Sequence, residues 1–298
     1  MRSSRLTNRV TPTGVQISPA KLADAIAEGS RLTDRDHQVI GLLAEHEVMT
    51  ADQLARVAFP NGTRARHRLH LLAQRGVLAR FRHNHRPGSA PWLYTLGLLG
   101  AAVDAVRVGA DLPRPAEITN RVLRLHYSLS LSHLLGVNDF FTRLIGWARA
   151  QRGELSLWWP EREAARACGG IVRPDGYGEW AEDGTAVGFF YEHDTGTETL
   201  ATLVGKVERY AELADTGVVR PVLLDLPTPG RETNLHRALT TRYGPAGPPA
   251  PVATASTDPG SDHEHRNPAG PLWLPVGAGT RRLRLIELGR PRTGRGAP

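Results

Sequence analysis

The chain has 298 residues with a formal net charge of +7, 40% hydrophobic and 22% charged residues, and a single cysteine, Cys168. That length suits two domains, and one cysteine excludes an internal disulfide or a zinc site built from several thiolates. No run of about 18 apolar residues occurs and no apolar segment follows the basic MRSSRLTNRV, so a cytoplasmic protein with no membrane span and no secretory signal is expected.

The charge is unevenly spread. Residues 1–150 carry 20 Arg and Lys against 11 Asp and Glu, and the remainder carries 17 against 19. No acid lies between Asp52 and Asp104, whereas Arg56, Arg64, Arg66, Arg68, Arg75, Arg80, Arg82 and Arg86 all do. A stretch of one sign over about fifty residues suits a polyanion such as double-stranded DNA.

In chain order, residues 1–31 read as a mobile lead-in and 32–110 as the first domain. Thr33 is the expected cap of a helix carrying Val39, Ile40, Leu42 and Leu43, and Thr50 caps a second, Ala51–Val57. After the turn Pro60-Asn61-Gly62, a third helix runs from Thr63 to Arg75 and closes at Gly76. Ala65, Leu69 and Leu72 form its inner face, leaving Arg64, Arg66, His67, His70 and Gln74 outward. Strands Val77–Arg82 and Trp92–Leu96 then flank a Pro/Gly loop. Three helices followed by a basic hairpin make a winged helix-turn-helix, with Arg64, Arg66, His67 and His70 facing the major groove and Arg82 and Arg86 on the wing. Winged helices also serve as protein-binding modules, and the charge favours DNA.

Leu96–Val108 reads as a further helix, and 120–150 as one long bridging helix through Val122, Leu125, Leu129, Leu134, Val137, Phe141, Leu144 and Ile145. Asp139 within it precedes the strands of a second domain, 151–243. There Leu155–Trp159 and Ala186–Tyr191 read as strands, Thr197 as the cap of a helix Glu198–Asp215, and Val218–Asp225 as a central strand. Strands alternating with helices imply an α/β core, giving an α+β chain overall. Residues 244–298 are Gly/Pro-rich and expected to be a largely disordered tail, with edge strands at Leu272–Leu274 and Leu283–Glu287.

Phosphodiester chemistry needs charge neutralised at phosphorus and a water made nucleophilic, which Mg²⁺ or Mn²⁺ held by carboxylates supplies. Asp175 at a strand edge and Glu192 at the end of the next strand can share one metal, with Lys206 on the following helix as charge stabiliser. Asp175, Glu192, Asp194 and Lys206 thus form a candidate catalytic set in the layout of a PD-(D/E)xK nuclease core, except that Asp194 stands where that motif has lysine. Lys21 and Lys206 are the only lysines of the chain, which singles out Lys206.

A winged helix followed by PDGYG, then EHDTGTETL, then a helix with Lys206 and Tyr210, resembles the replication-relaxation family of actinobacterial plasmids and integrative elements. The resemblance implies a DNA-binding protein acting in replication, DNA relaxation or mobilisation, with a restriction-endonuclease-like second domain. Asp175, Glu192, Asp194, Thr197, Glu198, Lys206 and Tyr210 are the matching positions. Two activities are open: a metal-dependent endonuclease or nickase, and an inactive nuclease-fold adaptor docking a relaxase or replication protein, with Glu192 paired to Lys206.

Overall fold

In the computed structural model, which describes residues 28–82, 90–150, 153–257, 267–277 and 279–289, the first α-helix, α1 (Asp34–His46), starts at a reciprocal capping box. Thr33 accepts from the Asp36 N–H and the Asp36 carboxylate accepts from the Thr33 N–H at 2.8 Å. Asp36 is fully buried, and Arg68 of α3 (Gly62–Gln74) engages both of its oxygens. Burial opposes its charge, but Arg68 and Thr33 outweigh burial and hold the carboxyl below its ordinary range. One arginine of the basic helix is thereby committed to joining α1 to α3.

The chain divides into two units, Met1–Asn138 and Asp139–Pro298. In the first, Thr50 and Gln53 make a second capping box at the start of α2 (Ala51–Ala58), Asn61 caps α3, and Gly76 closes it with φ 75°. Strands β1 (Met49–Thr50), β2 (Leu78–Phe81) and β3 (Leu93–Leu96) form an antiparallel sheet in the order β1-β3-β2. Helix α4 (Leu98–Val108) follows. One sheet face, with Ala79, Phe81 and Leu93, packs on Val122 and Leu125 of α5 (Pro115–His126) and Leu131 of α6 (Leu131–Ala150).

The expected single helix over 120–150 is therefore two helices, broken at 127–130. A continuous helix would turn Leu125 and Leu131 to different faces, six residues apart; the break lets both enter one cluster. Its cost falls on Leu129, which is fully exposed rather than part of an apolar stripe. His126, near the end of α5, packs its ring against Phe81 and Tyr127.

The second unit is built on a six-stranded sheet: β4 (Gly153–Pro160), β5 (Gly176–Glu182), β6 (Thr185–His193), β7 (Val222–Leu226), β8 (Val252–Ser256) and β9 (Leu274–Pro275), adjacent in that order. β4, β5 and β6 are antiparallel, β6, β7 and β8 parallel, and β9 antiparallel. Helix α7 (Glu161–Ala167) follows β4. Helices α8 (Leu200–Asp215) and α9 (Pro229–Tyr243) cover one face, where Leu203, Val207, Tyr210, Leu213, Leu235 and Leu239 meet Phe190, Val222 and Leu224. Phe140 and Phe141 of α6 cover the other, stacked on Tyr191 and Trp158 at 3.9 and 4.9 Å between ring centroids.

Three expectations are refined or corrected here. The strand expected beside Asp175, for which the sequence offered no bounds, is β5, and Asp183-Gly184, both at positive φ (47° and 76°), is the tight turn that joins it to β6. Helix α8 starts at Leu200, where Thr199, not Thr197, accepts from the Thr202 N–H at 3.1 Å. The segment expected to be a disordered tail supplies β8, an interior strand. Buried Glu232 of α9 accepts from Thr254 and Ser256 of β8, both at 2.6 Å, and from Arg282 at 2.6 and 3.1 Å, which fastens the later chain to the core. Of the two expected edge strands, the first is the short β9 and the second is a 3-10 helix, Leu285–Gly289, preceded by one bridge, Trp273 to Leu283. The acidic-histidine stretch 262–265 lies outside the described residues.

The glycines of PDGYG serve this packing. A Cβ on Gly176 would stand 2.8 Å from the Phe141 ring, and one on Gly178 would stand 2.6 Å from Phe189 and 2.9 Å from Phe141. Gly178→Ala is expected to destabilise the protein by about 1–3 kcal/mol through overpacking, seen as a lower midpoint in urea unfolding with an unchanged slope.

Candidate functional site

Asp175 is the residue before β5, and the pairing of Gly176 with Tyr191 sets it beside the end of β6. Its Oδ2 accepts from the His193 backbone N–H at 2.7 Å. Alternation along β6 turns Phe190 and Glu192 towards α8 and Phe189, Tyr191 and His193 towards the other face. Glu192 is 2% exposed. Its Oε1 accepts from the Tyr210 hydroxyl at 2.6 Å and its Oε2 from Lys206 Nζ at 3.2 Å. Lys206 and Tyr210 lie four residues apart on α8, so one helix face supplies both donors. Glu198 adds a second carboxylate to Lys206, also at 3.2 Å.

Burial pushes the Glu192 carboxyl up to about 8, and the neighbouring Asp175 charge pushes in the same direction, against the pull of Lys206 and Tyr210. For Lys206, burial disfavours the ammonium, but Glu192, Asp175 and Glu198 outweigh it and hold the group above its ordinary range. Burial and the Glu192 charge raise the Tyr210 hydroxyl well above its usual value. Tyr210 is thus a buried donor to Glu192 and is poorly disposed to ionise as a nucleophile.

Asp194 is engaged elsewhere. Arg231 of α9 binds both its oxygens, one at 3.1 Å, and donates to the Glu198 carbonyl at 2.6 Å, while the Gly196 N–H donates to Asp194 at 2.8 Å. These bonds shape the turn between β6 and α8. Thr197 contributes a hydroxyl bond to Thr195 at 3.0 Å. Asp139 pairs with Arg143 one turn along α6 at 2.9 Å.

Sequence reasoning missed Asp225 and Arg231. Asp225, near the C-terminal end of β7, accepts from the Tyr191 hydroxyl at 3.2 Å, and His193 Nδ1 stands 4.0 Å from its Oδ2. A polar residue at the end of the apolar run Val222–Leu224, on a parallel strand, is the signal that could have found it. Arg231 had no such signal, because its partner lies 37 positions away.

Two carboxylates whose charges oppose each other at one strand edge suit a cation, and Mg²⁺ is commonly held by one or two carboxylates together with substrate phosphates and water. Among the described residues no group of three or more His, Cys, Asp and Glu is placed to hold a metal by itself. Asp175 and Glu192 therefore fit a metal only as a partial ligand set that substrate oxygens would complete.

In the first unit, Arg64 and His67 are exposed, His70 is half-buried, and exposed Arg66 pairs with Asp52 at 3.2 Å. Arg82 is exposed and lies over the Trp92 ring. Arg86 falls outside the described residues. Among the described residues no helix is long and apolar enough to cross a membrane.

Fold and site define an α+β chain with an arginine-rich three-helix-and-hairpin unit and a mixed-sheet unit carrying a carboxylate–lysine cluster at a strand edge. The family model described as replication-relaxation matches residues 40–223, from within α1 to within β7. The chain belongs to the replication-relaxation family. No curated protein and no solved structure matches it.

An acid held above its ordinary pKa binds its proton more tightly folded than unfolded. The stability Glu192 contributes is complete below about 4.5 and is lost as pH rises through about 8. Unfolding free energies measured across that window should fall more steeply with pH in the wild type than in Glu192→Gln. Parallel profiles for the two would remove Glu192 as the source.

Proposed function

We propose that this protein binds double-stranded DNA of a plasmid or integrative element and acts in its replication, relaxation or mobilisation. In this reading the first unit is a winged helix: α3 enters the major groove with Arg64, Arg66, His67 and His70, and the β2–β3 hairpin is the wing, with Arg82 and Arg86 at the backbone. The second unit is a nuclease-like module. Its succession of helix, three antiparallel strands, helix and parallel strand, α6-β4-β5-β6-α8-β7 with the short α7 inserted, supports a PD-(D/E)xK-like core.

The observation that carries the reading is the meeting of Asp175, Glu192 and Lys206 at one strand edge. Asp175 and Glu192 would hold Mg²⁺ or Mn²⁺, which when bound neutralises phosphate charge and makes a water more acidic. Lys206 would face the charge that grows on the phosphate oxygens, which needs no reorganisation because Glu192 and Glu198 already hold the ammonium in place. Tyr210 fixes the Glu192 rotamer. With the lysine arriving from α8, the motif's strand position is freed, and Asp194 there is given to the turn.

A second reading has a specific observation behind it. Both Glu192 oxygens are taken by donors from the chain itself, as they would be in a nuclease fold retained as a binding platform for a relaxase or replication protein.

The two readings part in one experiment. Supercoiled plasmid from a host element, incubated with protein and Mg²⁺ or Mn²⁺, should be nicked by the wild type and by Asp194→Asn at a reduced rate set by folding, while Asp175→Ala and Lys206→Ala fall at least about 10²-fold, the scale of losing one electrostatic stabiliser. DNA binding without nicking, and unaltered by Asp175→Ala, would establish the adaptor reading instead.

A further inference from the structure

Both faces of the β2–β3 hairpin are buried near its base, where Leu78, Tyr94 and Leu96 lie on one side and Ala79, Phe81 and Leu93 on the other, and charge gathers at its outer end. Ala79, Phe81 and Leu93 lie in the apolar cluster of the first unit, so alternation sends Arg80, Arg82 and Trp92 to the opposite side. The ladder pairs Arg80 with Tyr94 and Phe81 with Leu93, which sets Arg82 one step further out, across from Trp92. Both guanidinium groups lie over the same indole, Arg80 at 4.2 Å and Arg82 at 4.6 Å from Cζ to the ring. Arg80 also interacts with the Tyr94 hydroxyl. Arg82 is exposed, and Arg80 and Trp92 are half-buried.

Two positive groups on one ring repel each other, and a carboxylate between them would be the ordinary remedy. The sequence offers none from residue 53 to residue 103, and among the described residues neither arginine makes an ion pair. An indole that gathers two arginines outside any ion pair leaves their positive charge available to an anion. A guanidinium that meets a ring through its flat face keeps in-plane N–H groups for phosphate oxygens, all of them in Arg82 and those not spent on the Tyr94 hydroxyl in Arg80. Side chains already restrained on the ring lose less freedom when a phosphate arrives.

We propose that Trp92 gathers Arg80 and Arg82 into a clamp for neighbouring backbone phosphates of double-stranded DNA. The inference rests on the DNA-binding reading of the first unit and extends it to an uncharged residue. Its partner is the sugar–phosphate backbone rather than a base edge, so the clamp adds affinity and register without sequence preference.

Trp92 carries no charge, and that gives the test its discriminating power. Fluorescence anisotropy of a labelled duplex, titrated with full-length protein at several salt concentrations, yields affinity and salt slope separately. Arg82→Ala should flatten the slope by about 0.9, one phosphate's worth. Trp92→Leu keeps every charge and should give a line parallel to the wild type, displaced to about three- to tenfold weaker binding, whereas Trp92→Phe retains most of the affinity. Wild-type affinity in Trp92→Leu together with an unchanged slope in Arg82→Ala overturns the clamp and leaves DNA binding standing. Absence of salt-dependent binding by the wild type removes the DNA reading itself. Circular dichroism reports whether Trp92→Leu is folded; if it is not, the double variant Arg80→Ala/Arg82→Ala decides, a slope flatter by about 1.8 supporting the clamp and an unchanged slope overturning it.

Discussion

The organising constraint of the second unit is a buried carboxylate. Glu192 projects from β6 into an otherwise apolar layer, where an uncompensated charge would be costly. The sheet, the turn after it and helix α8 are arranged so that one helix face delivers an ammonium and a phenol to its two oxygens. Lys206 reaches Glu192 from α8, which follows β6 after a short turn. Asp194 ties that turn together through Gly196 and Arg231. Asp175 joins the group because Gly176 and Gly178 let β5 pass under Phe141 and Phe189 without a side chain in the way.

The same alternation that buries Glu192 on one face turns Tyr191 and His193 to the other, where Asp225 meets them. Asp175 accepts the His193 N–H and opposes the charge of Glu192, so its charge is felt on both faces of β6. In the first unit the charge pattern also serves two ends. Arg68 is consumed by the buried Asp36, Arg66 is shared with Asp52, and Arg80 and Arg82 gather on Trp92. A count of arginines therefore overstates the surface that a ligand meets, and their partners show which remain available.

Much of this was legible in the sequence where the causes are local. Thr33 and Thr50 announce their helices because a cap and its acceptor lie three residues apart. Lys206 stood out by rarity, and its pairing with Glu192 follows from a strand feeding an apolar-striped helix. What stayed hidden was non-local or misjudged by composition. β5 mixes Gly176, Gly178, Glu179 and Glu182 with Tyr177 and Trp180, so no clean alternation marks its bounds until its Asp183-Gly184 turn is recognised. β8 was lost inside a Gly/Pro-rich stretch, although Val252–Ser256 is held in the sheet by β7 and by Glu232. The motif position of Asp194 invited a chemical role, yet its bonds to Arg231 depend on a helix that starts more than thirty residues later. The family match over residues 40–223 agrees with the resemblance carried by the PDGYG and EHDTGTETL segments.

If Glu192 is the group around which the second unit is arranged, its proton affinity is the quantity to measure. A ¹³C chemical-shift titration of the Glu192 carboxyl should show a midpoint near 8, lowered in Asp175→Asn, where an opposing charge is removed, and raised in Lys206→Met, where a stabilising one is. A midpoint in the ordinary carboxylate range of about 4 to 5, unmoved by either substitution, would contradict the account.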